Sequence, residues 1–139
     1  MFTKITINTT INAPIEQVWE KWTHPEHIVH WNFASDDWQC PSAENDVRAG
    51  GKYHTRMEAK DGSFGFDFEA IYNEVAEKNK LTYTMTDGRQ ASTTFENLGK
   101  STRVTTIFDA ETENPIELQQ QGWQAILNNF KHYSEVMMP

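Results

Sequence analysis

Three histidines stand at three-residue spacing in this chain: His24, His27 and His30. Helical side chains three apart are neighbours, so two such imidazoles could share a metal ion. Pro25 interrupts the first turn, however, and no Cys or carboxylate stands at a matching ligand spacing. The three therefore read as solvated or core-edge histidines, and no metal is expected. Candidates for general acid–base chemistry are Asp36, Asp37, Glu58, Asp67, Glu69 and His30. Asp67 and Glu69 alternate with Phe66 and Phe68, and Glu58 follows Met57, so these carboxylates face away from any ring-lined interior. No Ser–His–Asp set or carboxylate pair can be specified. Gly50-Gly51 reads as a turn or bulge and lacks the spacing and following helix of a phosphate loop. Cys40, directly before Pro41, reads as a buried inert thiol. No catalytic residue and no cofactor is assigned. Two inward-facing residues carry a polar tip, Tyr53 and Tyr83. They would orient a ligand by hydrogen bonding, or satisfy only each other.

The unusual feature is aromatic. Over 139 residues the apolar share is a modest 37%, yet Phe, Trp and Tyr make up 12%. That content speaks against disorder. Rings on apolar faces ordinarily form core, but together they suit the wall of a ligand pocket. Trp22, Trp31, Tyr53, Met57, Phe66, Phe68, Tyr83, Trp123 and Leu127 are the candidate lining, chosen on strand parity and on what the family resemblance described below implies. His54, next to Tyr53, should face outward. Gly122 lies inside a helical pattern, where it costs about 1 kcal/mol relative to Ala, and suggests close approach by a strand, a ligand or packed backbone.

Charge narrows the partners. Twelve Lys and Arg against twenty Asp and Glu leave a formal charge of -8, which opposes nucleic acid and anionic membrane surfaces. A single Cys cannot form an internal disulfide. The first residues lack the apolar stretch of a signal peptide, and no apolar run reaches the ~20 residues of a membrane span. The expectation is a cytoplasmic protein, monomeric or homodimeric.

The elements that must position these residues follow from periodicity. Phe2 to Ile11 alternates with Ile5, Ile7 and Ile11 on one face, as a strand does. Pro14 opens a short helix over 14–22, and Pro25 opens a second, to about Trp31. A weak strand is expected over Asp37–Ala43, another over Lys52–Ala59. Asp61-Gly62 signals a hairpin. The next strand carries Phe64, Phe66, Phe68, Ala70 and Tyr72 on one face and ends near Val75. Strands over 81–85, 90–97 and 102–108 complete a meander. Asn114, Pro115 and Glu117 resemble a capped helix start, and a 3.6-residue stripe from Trp123 to Met137 implies a helix over about 115–137. One helix of that length can cover one apolar sheet face. The chain reads as a single domain, 1–139.

The segments AP-IEQVWEKWTHPEHIVHW, AGGKYHTRMEAKDG, FEAIYNEVAEKNKLTYT and GWQAILNNFKHY stand in the order seen in the START-like (SRPBCC, birch-pollen-allergen-like) superfamily. More narrowly, the chain resembles the family named after the activator of the heat-shock-protein-90 ATPase. Ala70, where that family often has Gly, and Asn32-Phe33 after Trp31 depart from the pattern. The resemblance implies an α+β helix-grip fold: a curved antiparallel sheet of six to seven strands wrapped around a long C-terminal helix, with two short helices after the first strand. It implies an internal cavity for a small hydrophobic or aromatic molecule, lipid- or polyketide-like. A fold alone does not fix function. A co-chaperone-like interaction module ranks second, because the co-chaperone carries a further N-terminal domain that this sequence does not show. A cyclase- or hydrolase-type enzyme using the cavity ranks third.

Overall fold

A computed structural model describes residues 2–136. Its elements run β1 (Lys4–Ile11), α1 (Ile15–Thr23), α2 (Pro25–Ile28), β2 (Trp38–Asn45), β3 (Lys52–Ala59), β4 (Gly65–Ala76), β5 (Lys80–Met85), β6 (Gln90–Asn97), β7 (Thr102–Asp109) and α3 (Ile116–Val136). All seven strands join one antiparallel sheet in the order β1-β7-β6-β5-β4-β3-β2. The last six form a simple meander, and β1 pairs with β7. The first two strands therefore occupy opposite edges of the sheet. The segment that joins them, α1 and α2, crosses the open side from one edge to the other. This is the helix-grip arrangement.

Each strand buries one face because its apolar residues recur with period two. Ile5, Ile7 and Ile11 of β1 lie beside Val104 and Phe108 of β7, then Phe95 and Ala91 of β6, all in one core. Two bulges interrupt the ladder, between Gln39 and Ser42 in β2 and between Tyr72 and Glu74 in β4. The second adds Asn73 as an unpaired step, so that Val75 returns to the inner side after Tyr72.

Helix α3 is tied to the sheet along one edge. Gln120 Nε2 and Gln124 Nε2 donate to the β1 carbonyls of Thr6 and Asn8, each at 3.2 Å, and Lys131 Nζ donates to that of Thr10 at 2.7 Å. Asn12 N donates to Glu135 at 2.9 Å. Residues 120, 124, 131 and 135 form one helical stripe, which satisfies outward carbonyls of an edge strand that would otherwise invite strand addition.

Three expectations need correction. The second helix stops at Ile28; His30 N and Trp31 N then bond three residues back, as Trp31 turns inward to donate from Nε1 to the Lys21 carbonyl. Asn114 does not act as the expected cap: its side-chain amide donates to Glu111, 2.7 Å away. Gly122 is not closely approached, since a Cβ there would meet nothing within 4 Å. Met137 of the helical stripe lies outside the described residues.

Candidate functional site

Two aromatic clusters hold α3 off the sheet. Near its C-terminal half, Phe130 packs edge-on against Trp22 and Trp31, both at 4.8 Å, and these two indoles stack at 5.1 Å. Nearer its N-terminus, Trp123 lies flat on Phe108 at 3.9 Å with 7° between planes. Flat rings fill volume without closing every gap, and α3 packs chiefly along β1. The inner faces of β3, β4 and β5 thus look onto a cavity of about 320 Å³, roughly the volume of ten liquid waters.

All nine residues singled out from the sequence border this one cavity: Trp22, Trp31, Tyr53, Met57, Phe66, Phe68, Tyr83, Trp123 and Leu127. Their depth differs. Leu127 and Trp31 are buried, whereas Phe66 is 41% exposed and forms part of the mouth. There it meets Trp38 at 6.0 Å and Phe64 at 6.3 Å. Phe64 shares the parity of the inner face but is 62% exposed, because it lies in the hairpin turn before β4.

The deeper wall is a tyrosine cluster. Tyr53 and Tyr83 stack at 5.8 Å with 10° between planes, and Tyr72 and Phe68 pack edge-on around them. Ala70 pairs with Tyr53 on one side and Met85 on the other; its small side chain leaves the two rings room to meet. The Tyr72 hydroxyl donates to Asn45 Oδ1 at 2.7 Å. Burial pushes the Tyr53, Tyr72 and Tyr83 phenols up, so all three remain protonated at neutral pH. Tyr53 and Tyr83 do not satisfy each other: their rings stack and no hydrogen bond joins their hydroxyls.

The sequence reading missed the polar part of the lining. Thr55 borders the cavity from the face of β3 that carries Tyr53 and Met57, and Thr93 and Thr106 border it from the buried faces of β6 and β7. Thr93 and Thr106 hydroxyls bond each other at 2.8 Å, while Thr55 Oγ1 is buried without a partner. Arg89, Glu111 and Gln119 add a charged and amide-bearing section. Gln119 pins the loop before α3, accepting from Glu111 N at 2.9 Å and donating to the Glu111 and Asn114 carbonyls. Arg89 Nε donates to Asp87 at 2.7 Å. Backbone and side-chain donation from Asn114 holds the Glu111 carboxyl below its ordinary value. No local pattern announces these three, since their meeting depends on how the loop before α3 folds over the sheet.

The acid–base candidates lie elsewhere. Asp67 bonds His54 at 3.1 Å and Arg56 at 3.2 Å on the outer face, Glu69 pairs with Lys52, and Glu58 with Arg56. Asp36 and Asp37 are exposed, and Ser35 donates to Asp37. The histidine series does not converge either. His27 Nδ1 lies 2.6 Å from the Tyr133 hydroxyl, His30 stacks on the Tyr133 ring, and His24 faces Glu26 at 3.7 Å. Among the described residues, no three His, Cys, Asp or Glu side chains gather to hold a metal ion. No helix of the described residues is long and apolar enough to cross a membrane.

Comparison with known proteins gives a consistent picture. The model of the family described as Activator of Hsp90 ATPase homolog 1-like protein matches residues 12–135. A solution structure of an AHSA1-like protein from Aeromonas hydrophila is 42% identical, with 96% of this chain and 93% of that chain covered and a TM-score of 0.91. A solution structure from Cytophaga hutchinsonii is 48% identical, covering 96% and 92%, with a TM-score of 0.83. A Staphylococcus aureus protein of unknown function is 17% identical over 98% and 95%, with a TM-score of 0.75, a likeness of fold alone. No curated protein matches.

Proposed function

This chain belongs to the Activator of Hsp90 ATPase homolog 1-like family, and we propose that it binds a small hydrophobic or aromatic molecule in the cavity between sheet and C-terminal helix. One observation carries this reading: about 320 Å³ of space bordered by Trp22, Trp31, Phe68, Tyr53, Tyr83 and Trp123. The size falls within the range of small-molecule sites, which are mostly apolar with a few placed polar groups. The family's START-like fold commonly binds hydrophobic ligands, which supports the same conclusion. The ligand is no larger than two or three fused rings or a short chain, given the volume.

The direct test is native mass spectrometry of gently purified protein, together with a thermal-shift panel of fatty acids and polycyclic aromatics. Binding at a hundred times the dissociation constant stabilises the fold by about 2.7 kcal/mol, or roughly 5–10 °C for a chain of this size. A saturable shift with some panel member is expected. Absence of any adduct and any shift across the whole panel contradicts the reading.

A further inference from the structure

The four tyrosines of the chain divide into two kinds. Tyr72 donates to Asn45, and Tyr133 bonds His27. Tyr53 and Tyr83 border the cavity, and neither hydroxyl has a hydrogen-bond partner among the described residues. Beside them on β3, fully buried Thr55 also borders the cavity with its hydroxyl unpaired. The Thr55 hydroxyl, withdrawn from water without a partner, costs about 1–3 kcal/mol. The same wall uses Phe where bulk alone is needed, at 66 and 68. Tyr in place of Phe at 53 and 83 adds two donors that the fold does not use.

Their geometry restricts what they recognise. The rings are nearly parallel at 5.8 Å and rise from β3 and β5, which flank β4. Two neutral O–H donors on one wall of the cavity suit one oxygen with two lone pairs. No Lys borders this cavity, and the Arg89 guanidinium is already engaged by Asp87 and the Asp109 carbonyl. A carboxylate, as on a fatty acid, would thus enter a buried site with no free ammonium to balance it. A neutral carbonyl needs none. The surrounding walls are flat: Trp22 on Trp31, and Trp123 on Phe108.

Building on the proposed cavity function, we infer that the cavity selects a planar, uncharged aromatic ketone whose carbonyl oxygen accepts hydrogen bonds from Tyr53 and Tyr83. The phenols face the oxygen, and the fused or conjugated rings lie against the Trp and Phe walls.

The test compares fluorenone with fluorene, which has the same ring frame without the carbonyl, and with lauric acid, by titration calorimetry. Wild-type protein should bind fluorenone at least about fivefold more tightly than fluorene, from two neutral hydrogen bonds. Tyr53→Phe with Tyr83→Phe should bring that ratio to about one. Equal affinities for the two ring compounds in the wild type would overturn the ketone inference and leave the apolar cavity standing. A preference that survives the double substitution would overturn it as well. Binding of none of the three probes would remove the cavity reading and this inference with it. Where the double variant folds poorly, the single variants Tyr53→Phe and Tyr83→Phe decide, each expected to lower the ratio and each overturning the inference if it leaves the ratio at the wild-type value.

Discussion

His27 and His54 illustrate how opposite environments act on one residue type. Burial is the main influence on His27 and lowers its pKa, against the raising effect of Glu20 and Glu26. The hydrogen bond to Asp67 is the main influence on His54, and raises it. The signs for stability are therefore opposed. His27 contributes stability above the unfolded value of about 6.5, and this is lost as pH falls through its lower folded value. His54 contributes below about 6.5, and its share is lost as pH rises through its higher folded value. An NMR titration of the ring protons should place the His54 midpoint above 6.5 and the His27 midpoint below it; the reverse order would refute this assignment. Two glycines make a second pair. A Cβ at Gly122 meets nothing, so Gly122→Ala should raise stability by about 1 kcal/mol through helix propensity. A Cβ at Gly51 would stand 2.0 Å from the Asp46 carbonyl oxygen, so Gly51→Ala should cost more than about 2 kcal/mol. Urea denaturation of both variants checks the contrast, and equal effects would contradict it.

At the level of elements, the long helix is held to the sheet by its polar stripe as well as by its rings. Gln124→Leu removes one donor to the β1 edge, and Lys131→Met removes another together with its 2.5 Å pair to Glu135. Each should lower stability by about 0.5–1.5 kcal/mol, with the exposed part of the Lys131–Glu135 pair adding little. Thermal denaturation measures this; unchanged midpoints in both variants would mean that the stripe is ornamental and the rings alone hold α3. Much of this architecture was legible beforehand. Period two along Ile5, Ile7 and Ile11 and along Tyr53, Thr55 and Met57 fixes which side chains enter the interior, because one buried face forces the register. That same parity brought the five strand residues among the nine, Tyr53, Met57, Phe66, Phe68 and Tyr83, to one cavity. It failed at Phe64, where the face runs past the sheet into the hairpin turn. It was silent on Glu111 and Gln119, whose meeting is made by a loop. Asn114 misled because a cap signal is local, and Glu111 three residues earlier competes for the same amide.

Taken whole, the molecule separates its two unusual compositional features in space. The aromatic excess gathers where α1, α2 and α3 face the inner sheet, around the cavity. The acidic excess lies on the outer face, as in the Asp67, Glu69 and Glu58 pairs with His54, Lys52 and Arg56. Such an arrangement keeps the charge outside, while the interior stays apolar. The central claim is that the interior takes a ligand. Five tryptophans give five indole signals in a nitrogen–proton correlation spectrum, and only Trp22, Trp31 and Trp123 border the cavity. Titration with fluorenone should move these three saturably, with Trp19 and Trp38 moving less. No saturable movement, or a response led by Trp38 at the surface, would contradict the account.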